Sequence, residues 1–237
     1  MFKLNFFAKI ICLLVGLLSS GCMNESNSLP PVPNPVGDSN LSQASVAAEA
    51  ENVAVSAPEA TELRTAYFAG GCFWCVEAIF ESIKGVREAV SGYSGGVEPD
   101  PDYALVSRGI TTHAESVKVI YDPEAVDFAT LVKAFFASHD PTQLNRQGPD
   151  VGEHYRSAIF YQNAAEFEII HAYIKQLKAS GVYADPIVTE VAPFKVFYQA
   201  EDYHQNYKQK NPDNPYVKNV SMPRLKHFQK QLPELQK

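Results

Sequence analysis

The chain has 237 residues, 46% of them hydrophobic and 20% charged, a composition that fits a soluble globular domain with length to spare. A net charge of -7 excludes the basic face that nucleic-acid phosphates require, so no nucleic-acid partner is expected. Four cysteines, at positions 12, 22, 72 and 75, are too few for a disulfide-stapled scaffold.

Residues 1–21 read as a targeting signal. Lys3 and Lys9 bracket a short charged start, and the apolar run "IICLLVGLL" that follows is too short to span a bilayer comfortably. The run ends in "LSSGC", and small residues before Cys22 resemble the bacterial lipoprotein processing site, where cleavage leaves the cysteine as a lipidated N-terminus. Ser19 stands where leucine is usual, with Leu18 one step earlier. The expectation is a lipoprotein-type signal peptide with lipidation at Cys22. An ordinary secretory signal or a weak membrane anchor is the alternative. Met23 after the cysteine, in place of aspartate, resembles outer-membrane sorting in Gram-negative bacteria. The expected location is therefore the bacterial cell envelope, lipid-anchored in the outer membrane and facing the periplasm.

Residues 22–63 read as a disordered acidic, proline-rich tether. From Ser28 to Leu63 there is no aromatic residue, lysine or arginine, and the prolines and small residues bury too little surface to offset chain entropy. A flexible tether of this length reaches roughly 35 Å root-mean-square.

The folded part is expected over residues 64–237. "TAYFAGG" reads as a short strand ending in a glycine pair. Phe73, Val76, Phe80 and Ile83 stand at helical spacing over 72–84, with Gly85 where a helix stops. "ESVKVIYDP" alternates as a strand and breaks at Asp122-Pro123. Apolar residues at 128, 131, 132, 135 and 136 predict a helix ending near Pro141. "YRSAIFY" is a strand, and "NAAEFEIIHAYIKQLKASG" a second helix closed by Gly181. "DPIVTEVAPFKVFYQ" is extended, and "AEDYHQNYKQK" a short helical piece. Strands and helices without a regular βαβ repeat predict an α+β fold.

The chemistry gathers in "YFAGGCFWCVEAIF", residues 67–80. Gly70 and Gly71 allow a tight strand-to-helix turn, which puts Cys72 at the positive end of the helix dipole, where a thiolate is stabilised. Cys75 is one turn on, and residues three apart on a helix have Cβ atoms about 5–6 Å apart, within local adjustment of a disulfide. The pair reads as a redox or nucleophilic site. Two buried core thiols and a zinc site are the alternatives, but there is a single CxxC and the six histidines show no ligand spacing, so no metal is expected. A thioredoxin-like motif usually has its tryptophan before the first cysteine, whereas Trp74 lies between the two here.

"GCFWC", "GYSGG", "HAESVKVIYDP", "QGPDVGEHYRSAIFY" and "AEDYHQNY" follow one another in an order that resembles the A-type peptide methionine sulfoxide reductases, over about residues 64–225. The resemblance implies a two-layer sandwich of a mixed β-sheet and flanking helices, a catalytic cysteine at a helix N-terminus, and a coil-rich C-terminal segment. It implies reduction of methionine (S)-sulfoxide, in proteins and as the free amino acid. Cys72 would attack sulfur and be left as a sulfenic acid, and Glu115 would deliver a proton from a pocket that raises its pKa. Phe73 and Trp74 would hold the S-methyl group. Tyr103 and Tyr155 would hydrogen-bond the sulfoxide oxygen, and Asp150 would order the site through water or backbone contacts. His204 reads as part of a structural aromatic cluster. The tail after residue 210 has no cysteine, so Cys75 is the expected resolving residue, or an external thiol acts directly. The implied reductant is a thioredoxin-type dithiol, with no other cofactor. The remaining expected partners are oxidised proteins and the membrane, and the domain is expected to be a monomer. A tethered redox relay or binding protein that keeps the fold without turnover is the competing class.

Overall fold

The computed structural model describes residues 62–237. The expected signal peptide, Cys22 and the tether up to residue 61 lie outside the described residues. Among the described residues no helix is long and apolar enough to cross a membrane.

Strand β1, Arg64–Gly70, leads through a two-residue turn into helix α1, Phe73–Glu81. Then come β2 (Val86–Ser94), the one-turn helix α2 (Tyr103–Val106), β3 (Ala114–Tyr121) and α3 (Phe128–Ala137). A small hairpin, β4 (Arg146–Gln147) and β5 (Asp150–Val151), precedes β6 (Ser157–Tyr161) and α4 (Ala164–Ser180). The chain continues through β7 (Glu190–Pro193), β8 (Phe197–Gln199) and α5 (Tyr207–Lys210), and ends on α6 (Met222–Gln231). The main sheet has the order β7-β6-β1-β3-β2-β8. Its pairs are antiparallel except β6 with β7, so the sheet is mixed, and with flanking helices the fold is α+β, as the sequence predicts.

Period-two alternation sorts the side chains between the two faces of the sheet. On β1, Ala66 and Phe68 join the main core under the helices, while Tyr67 and Ala69 join a smaller cluster on the other face. On β3, Val117, Val119 and Tyr121 face the main core. Glu115 shares their parity, so the same alternation carries a carboxyl group onto the helix side, where it is 1% exposed. Helix α1 buries Phe73, Val76, Ile79 and Phe80 on this face, each contributing roughly 1.5–3 kcal/mol of hydrophobic stabilisation. Phe80 stacks on Phe68 at 4.8 Å between ring centroids, so Phe80→Ala would open a cavity costing about 3–5 kcal/mol. Helices α3 and α4 are capped by their own sequence: Asp127 accepts from Thr130 N–H, Asn163 from Glu166 N–H, and Gly181 closes α4 in the left-handed region.

Two elements escaped the pattern reading. Strand β2 is buried from Ala89 onward on both faces, with Ser91, Gly92 and Ser94 among its residues, so it shows no alternation. The coil-rich C-terminal segment needs correction past residue 216. Residues 182–216 do hold only short elements, but Val217–Ser221 forms a π-helical turn that runs directly into α6. Leu225, Phe228 and Leu232 bury that helix against the main core. Pro223, which has no N–H to donate, falls where the π-helical turn already departs from the regular helical bonding.

Candidate active site

The turn between β1 and α1 sets the site. Gly71 has φ +88°, and a Cβ there would lie 2.6 Å from the Cβ of Gln147, so only glycine fits. Cys72 is the N-cap of α1, and its carbonyl oxygen accepts from Cys75 N–H at 3.1 Å. The turn is clamped from outside by Arg224 of α6, whose guanidinium donates to Gly70 O at 2.7 Å and to Ser138 O at 2.6 Å.

The helix-tip position of Cys72 is as expected, but its electrostatics are not. Glu115 Oε2 accepts the N–H of Phe73 at 3.0 Å and so occupies the start of the helix dipole itself. Burial raises the Cys72 thiol well above its ordinary pKa, and the hydrogen bond to Cys75 and the negative character of Cys75 and Glu115 add to this. Cys75 moves the other way, to about 6, chiefly through the hydrogen bond from Cys72, against burial and with help from nearby Arg224. Both thiols are free, and their surroundings push the two pKa values in opposite directions. Burial also lifts Glu115 to about 8, against the Phe73 hydrogen bond that favours its charged form. The carboxyl group is therefore protonated at neutral pH.

The expected site residues come together here from five separate segments. The Phe73 ring lies 6.2 Å from that of Trp74, 6.4 Å from that of Tyr103 and 4.9 Å from that of His204. Trp74 stacks flat on Tyr207 at 3.7 Å and donates its indole N–H to His204 Nδ1 at 3.1 Å. Burial lowers the pKa of His204, which stays a neutral acceptor within the aromatic cluster. Tyr103 opens α2, and Tyr155 ends the short turn Glu153–Tyr155. Burial, then Glu115, then Cys72 raise both phenols, Tyr103 to about 12, so both keep their protons as donors. Asp150, on the β4–β5 hairpin, accepts directly from the Tyr216 hydroxyl at 2.6 Å.

Sequence reasoning missed several partners. Tyr216 lies 3.8 Å from the Cys75 sulfur, and Ser221 Oγ lies 3.1 Å from it. Glu201 accepts from the Tyr93 hydroxyl at 2.9 Å and from Tyr103 N–H at 3.0 Å, which fixes α2 against the site. For Arg224 the signal was available: Pro223 followed by Leu225 and Phe228 at helical spacing announces α6. Tyr216 is one of 12 tyrosines and nothing local distinguishes it.

A groove of about 720 Å³ opens beside this cluster, lined by Gln147, Asp150, Asn219, Val220, Pro223 and Arg224 among others. It shares Asp150 and Arg224 with the site, whereas Cys72, Glu115, Tyr103 and Tyr155 are not part of its lining. Among the described residues no group of three or more His, Cys, Asp or Glu side chains is placed to hold a metal ion.

A buried thiol pair at a helix start, beside a carboxyl group kept protonated at neutral pH, defines a thiol-dependent oxidoreductase. Residues 64–236 match the family model described as peptide methionine sulfoxide reductase. The chain is 50% identical over 167 residues to "Peptide methionine sulfoxide reductase MsrA 2" of Synechocystis sp., covering 70% of this chain and 78% of that protein. Among solved structures, methionine sulfoxide reductase A of Corynebacterium diphtheriae is similar with a TM-score of 0.58 at 37% identity, over 66% of this chain and 78% of that one. Mxr1 from Saccharomyces cerevisiae in reduced form is similar with a TM-score of 0.59 at 32% identity, over 66% and 90%. The chain belongs to the peptide methionine sulfoxide reductase family, whose reaction is the reduction of methionine sulfoxide to methionine.

Proposed function

We propose that this chain reduces the (S)-epimer of methionine sulfoxide, in oxidised proteins and as the free amino acid, with Cys72 as nucleophile and Glu115 as acid. The observation that carries this reading is the meeting of Cys72 and a buried, protonated Glu115 at one helix start. The Cys72 sulfur attacks the sulfoxide sulfur while Glu115 protonates the oxygen, and the Tyr103 and Tyr155 phenols donate to that oxygen. Phe73 and Trp74 form the apolar wall for the S-methyl group. Asp150 holds Tyr216 against the cysteine pair. Methionine leaves, and the oxygen ends on Cys72 as a sulfenic acid. The net proton on that acid is the one Cys72 lost, because Glu115 is reprotonated. Sulfoxide sulfur gains two electrons and Cys72 sulfur loses two.

Cys75 then attacks the Cys72 sulfur: an S–S bond forms as the S–O bond breaks, and the leaving hydroxide takes up the proton that Cys75 gave up and departs as water. An external dithiol of thioredoxin type restores both thiols by exchange through a mixed disulfide. This cycle uses no other cofactor. All the residues named come from a single chain, so a monomer suffices.

Cys22 is proposed to carry the lipid that holds the domain at the periplasmic face of the outer membrane, and the dithiol donor is then one supplied through the membrane. The chain enters β1 at Arg64, the end of the strand remote from Gly70 and Cys72. Fractionation of cells carrying the wild type and Cys22→Ala tests the anchor; equal solubility of the two forms would contradict it. The catalytic reading is tested with the full chain, dithiothreitol and peptides bearing either sulfoxide epimer. Methionine is expected from the (S)-peptide alone. No methionine from either would instead favour a relay or binding protein.

A further inference from the structure

In the proposed cycle Cys75 must act only after Cys72 has been oxidised, yet the residue is buried, 1% exposed. What surrounds that sulfur is therefore part of the chemistry. Two hydroxyls reach it, Ser221 Oγ at 3.1 Å and Tyr216 OH at 3.8 Å. They are not equivalent. The Tyr216 hydroxyl donates its hydrogen to Asp150 Oδ2 at 2.6 Å, which leaves only its lone pairs for the sulfur. Between Ser221 Oγ and the sulfur either can donate while Cys75 is a thiol, and once Cys75 gives up its proton only the Ser221 hydroxyl has a hydrogen to give.

The backbone explains why a serine can do this. Residues Val217–Ser221 form a π-helical turn, in which the widened repeat rotates Val217 and Ser221 both inward, and each is buried. Helix α6 continues from Ser221 without a break, and Arg224, three residues on, clamps the Gly70 carbonyl beneath the catalytic turn. The Ser221 hydroxyl thus sits on a rigid element tied to the same turn that carries Cys72.

We propose that Ser221 is a positioning residue for the second half of the reaction, its hydroxyl hydrogen-bonded to the Cys75 sulfur so as to hold that sulfur in place for attack on the Cys72 sulfenic acid. This rests on the reading of Cys75 as the resolving residue. Methionine release depends on Cys72, Glu115 and the tyrosines, and is independent of Ser221. Disulfide closure depends on it. The lowered pKa of Cys75, caused first by the hydrogen bond from Cys72, also draws on smaller contributions from the Ser221 and Tyr216 hydroxyls.

The test uses the full chain as wild type, Ser221→Ala and Ser221→Thr, mixed with a methionine sulfoxide peptide without reductant. Quenched samples are read for methionine and, by mass mapping, for the Cys72–Cys75 disulfide. In Ser221→Ala methionine should appear at the wild-type rate, while disulfide closure slows at least about tenfold, the worth of one hydrogen bond to a charged group. Ser221→Thr, which keeps the hydroxyl, should restore closure. In a Cys72→Ala background, Ser221→Ala should move the pH midpoint of Cys75 alkylation up by about 1–2 units. If the wild type forms no disulfide, the resolving role of Cys75 is wrong and this proposal goes with it. If the wild type forms the disulfide and Ser221→Ala matches its rate, or slows methionine release equally, Ser221 has no positioning role.

Discussion

Glu115 Oε2 accepts the backbone N–H of Phe73 at 3.0 Å, so an acid from the central strand β3 caps the helix that carries the nucleophile. One bond links the proton source to the position of Cys72, since Phe73 is its immediate neighbour. It also explains why burial does not raise Glu115 further than about 8: the N–H favours the charged form that burial opposes.

Glu115→Gln keeps an oxygen acceptor for Phe73 N–H but has no proton to give. The rate of methionine formation in a single turnover should fall by about 10²–10⁴-fold, the usual range for general acid catalysis. In the wild type that rate should decline as pH rises through about 8, where the carboxyl group ionises. Quenched-flow measurements on both proteins from about pH 6 to about pH 10 check this. A wild-type decline that persists in Glu115→Gln would assign it to another group.

Cys75→Ser removes the resolving thiol and leaves Cys72 and Glu115 in place. About one methionine per chain should still form without reductant, and the Cys72 sulfenic acid should then persist. Steady-state turnover should drop more with a thioredoxin-type donor than with dithiothreitol, because the small thiol reaches the sulfenic acid directly. Equal losses with the two donors would remove Cys75 from the relay.

Glu77, on α1, is 1% exposed and accepts from Asn206 N–H at 3.0 Å, tying the helix to the 201–207 segment. Burial raises it to about 7. Its folded pKa exceeds its unfolded one, so the native state binds the extra proton, and stability falls as pH rises from about 4.5 to about 7. Glu77→Gln keeps the acceptor and carries no charge. It should raise the melting temperature at pH 8 by about 2–4 °C and change it little at pH 4. Thermal melts at the two pH values decide; an equal shift at both would mean that charge is not the cause.

Gly71→Ala forces a side chain onto φ +88° and against Gln147. The backbone strain alone should cost about 1–3 kcal/mol. The push on Gln147 also displaces the β4–β5 hairpin that carries Asp150. Denaturant midpoints should drop together with activity, and an unchanged midpoint would show that the turn tolerates a side chain.

Much of this site was legible in the sequence because its residues obey local rules. The glycine pair and the cysteine spacing place Cys72 and Cys75 with no tertiary knowledge, whereas Glu115 comes from the family resemblance, since by itself it reads as a solvated carboxylate opening a strand. The electrostatics were not legible. The dipole argument expects an ionised Cys72, but the helix start is shared with Glu115 from a strand 42 residues away, and burial dominates both groups. Tyr216 and Ser221 are 141 and 146 residues from Cys75, and only the packing of α6 brings them to it. Strand β2 was hidden for a related reason: a strand covered on both faces loses the alternation that marks one.

The central claim is that Cys72 is the atom on which the sulfoxide oxygen arrives. Its most direct test is the amount of methionine formed per chain, without any reductant, by the wild type and by Cys72→Ser. Wild type should give about one equivalent, with Cys72 oxidised on mass mapping, and Cys72→Ser should give none while still folding. Methionine from Cys72→Ser, or a wild-type burst that leaves Cys72 unoxidised, would contradict the account.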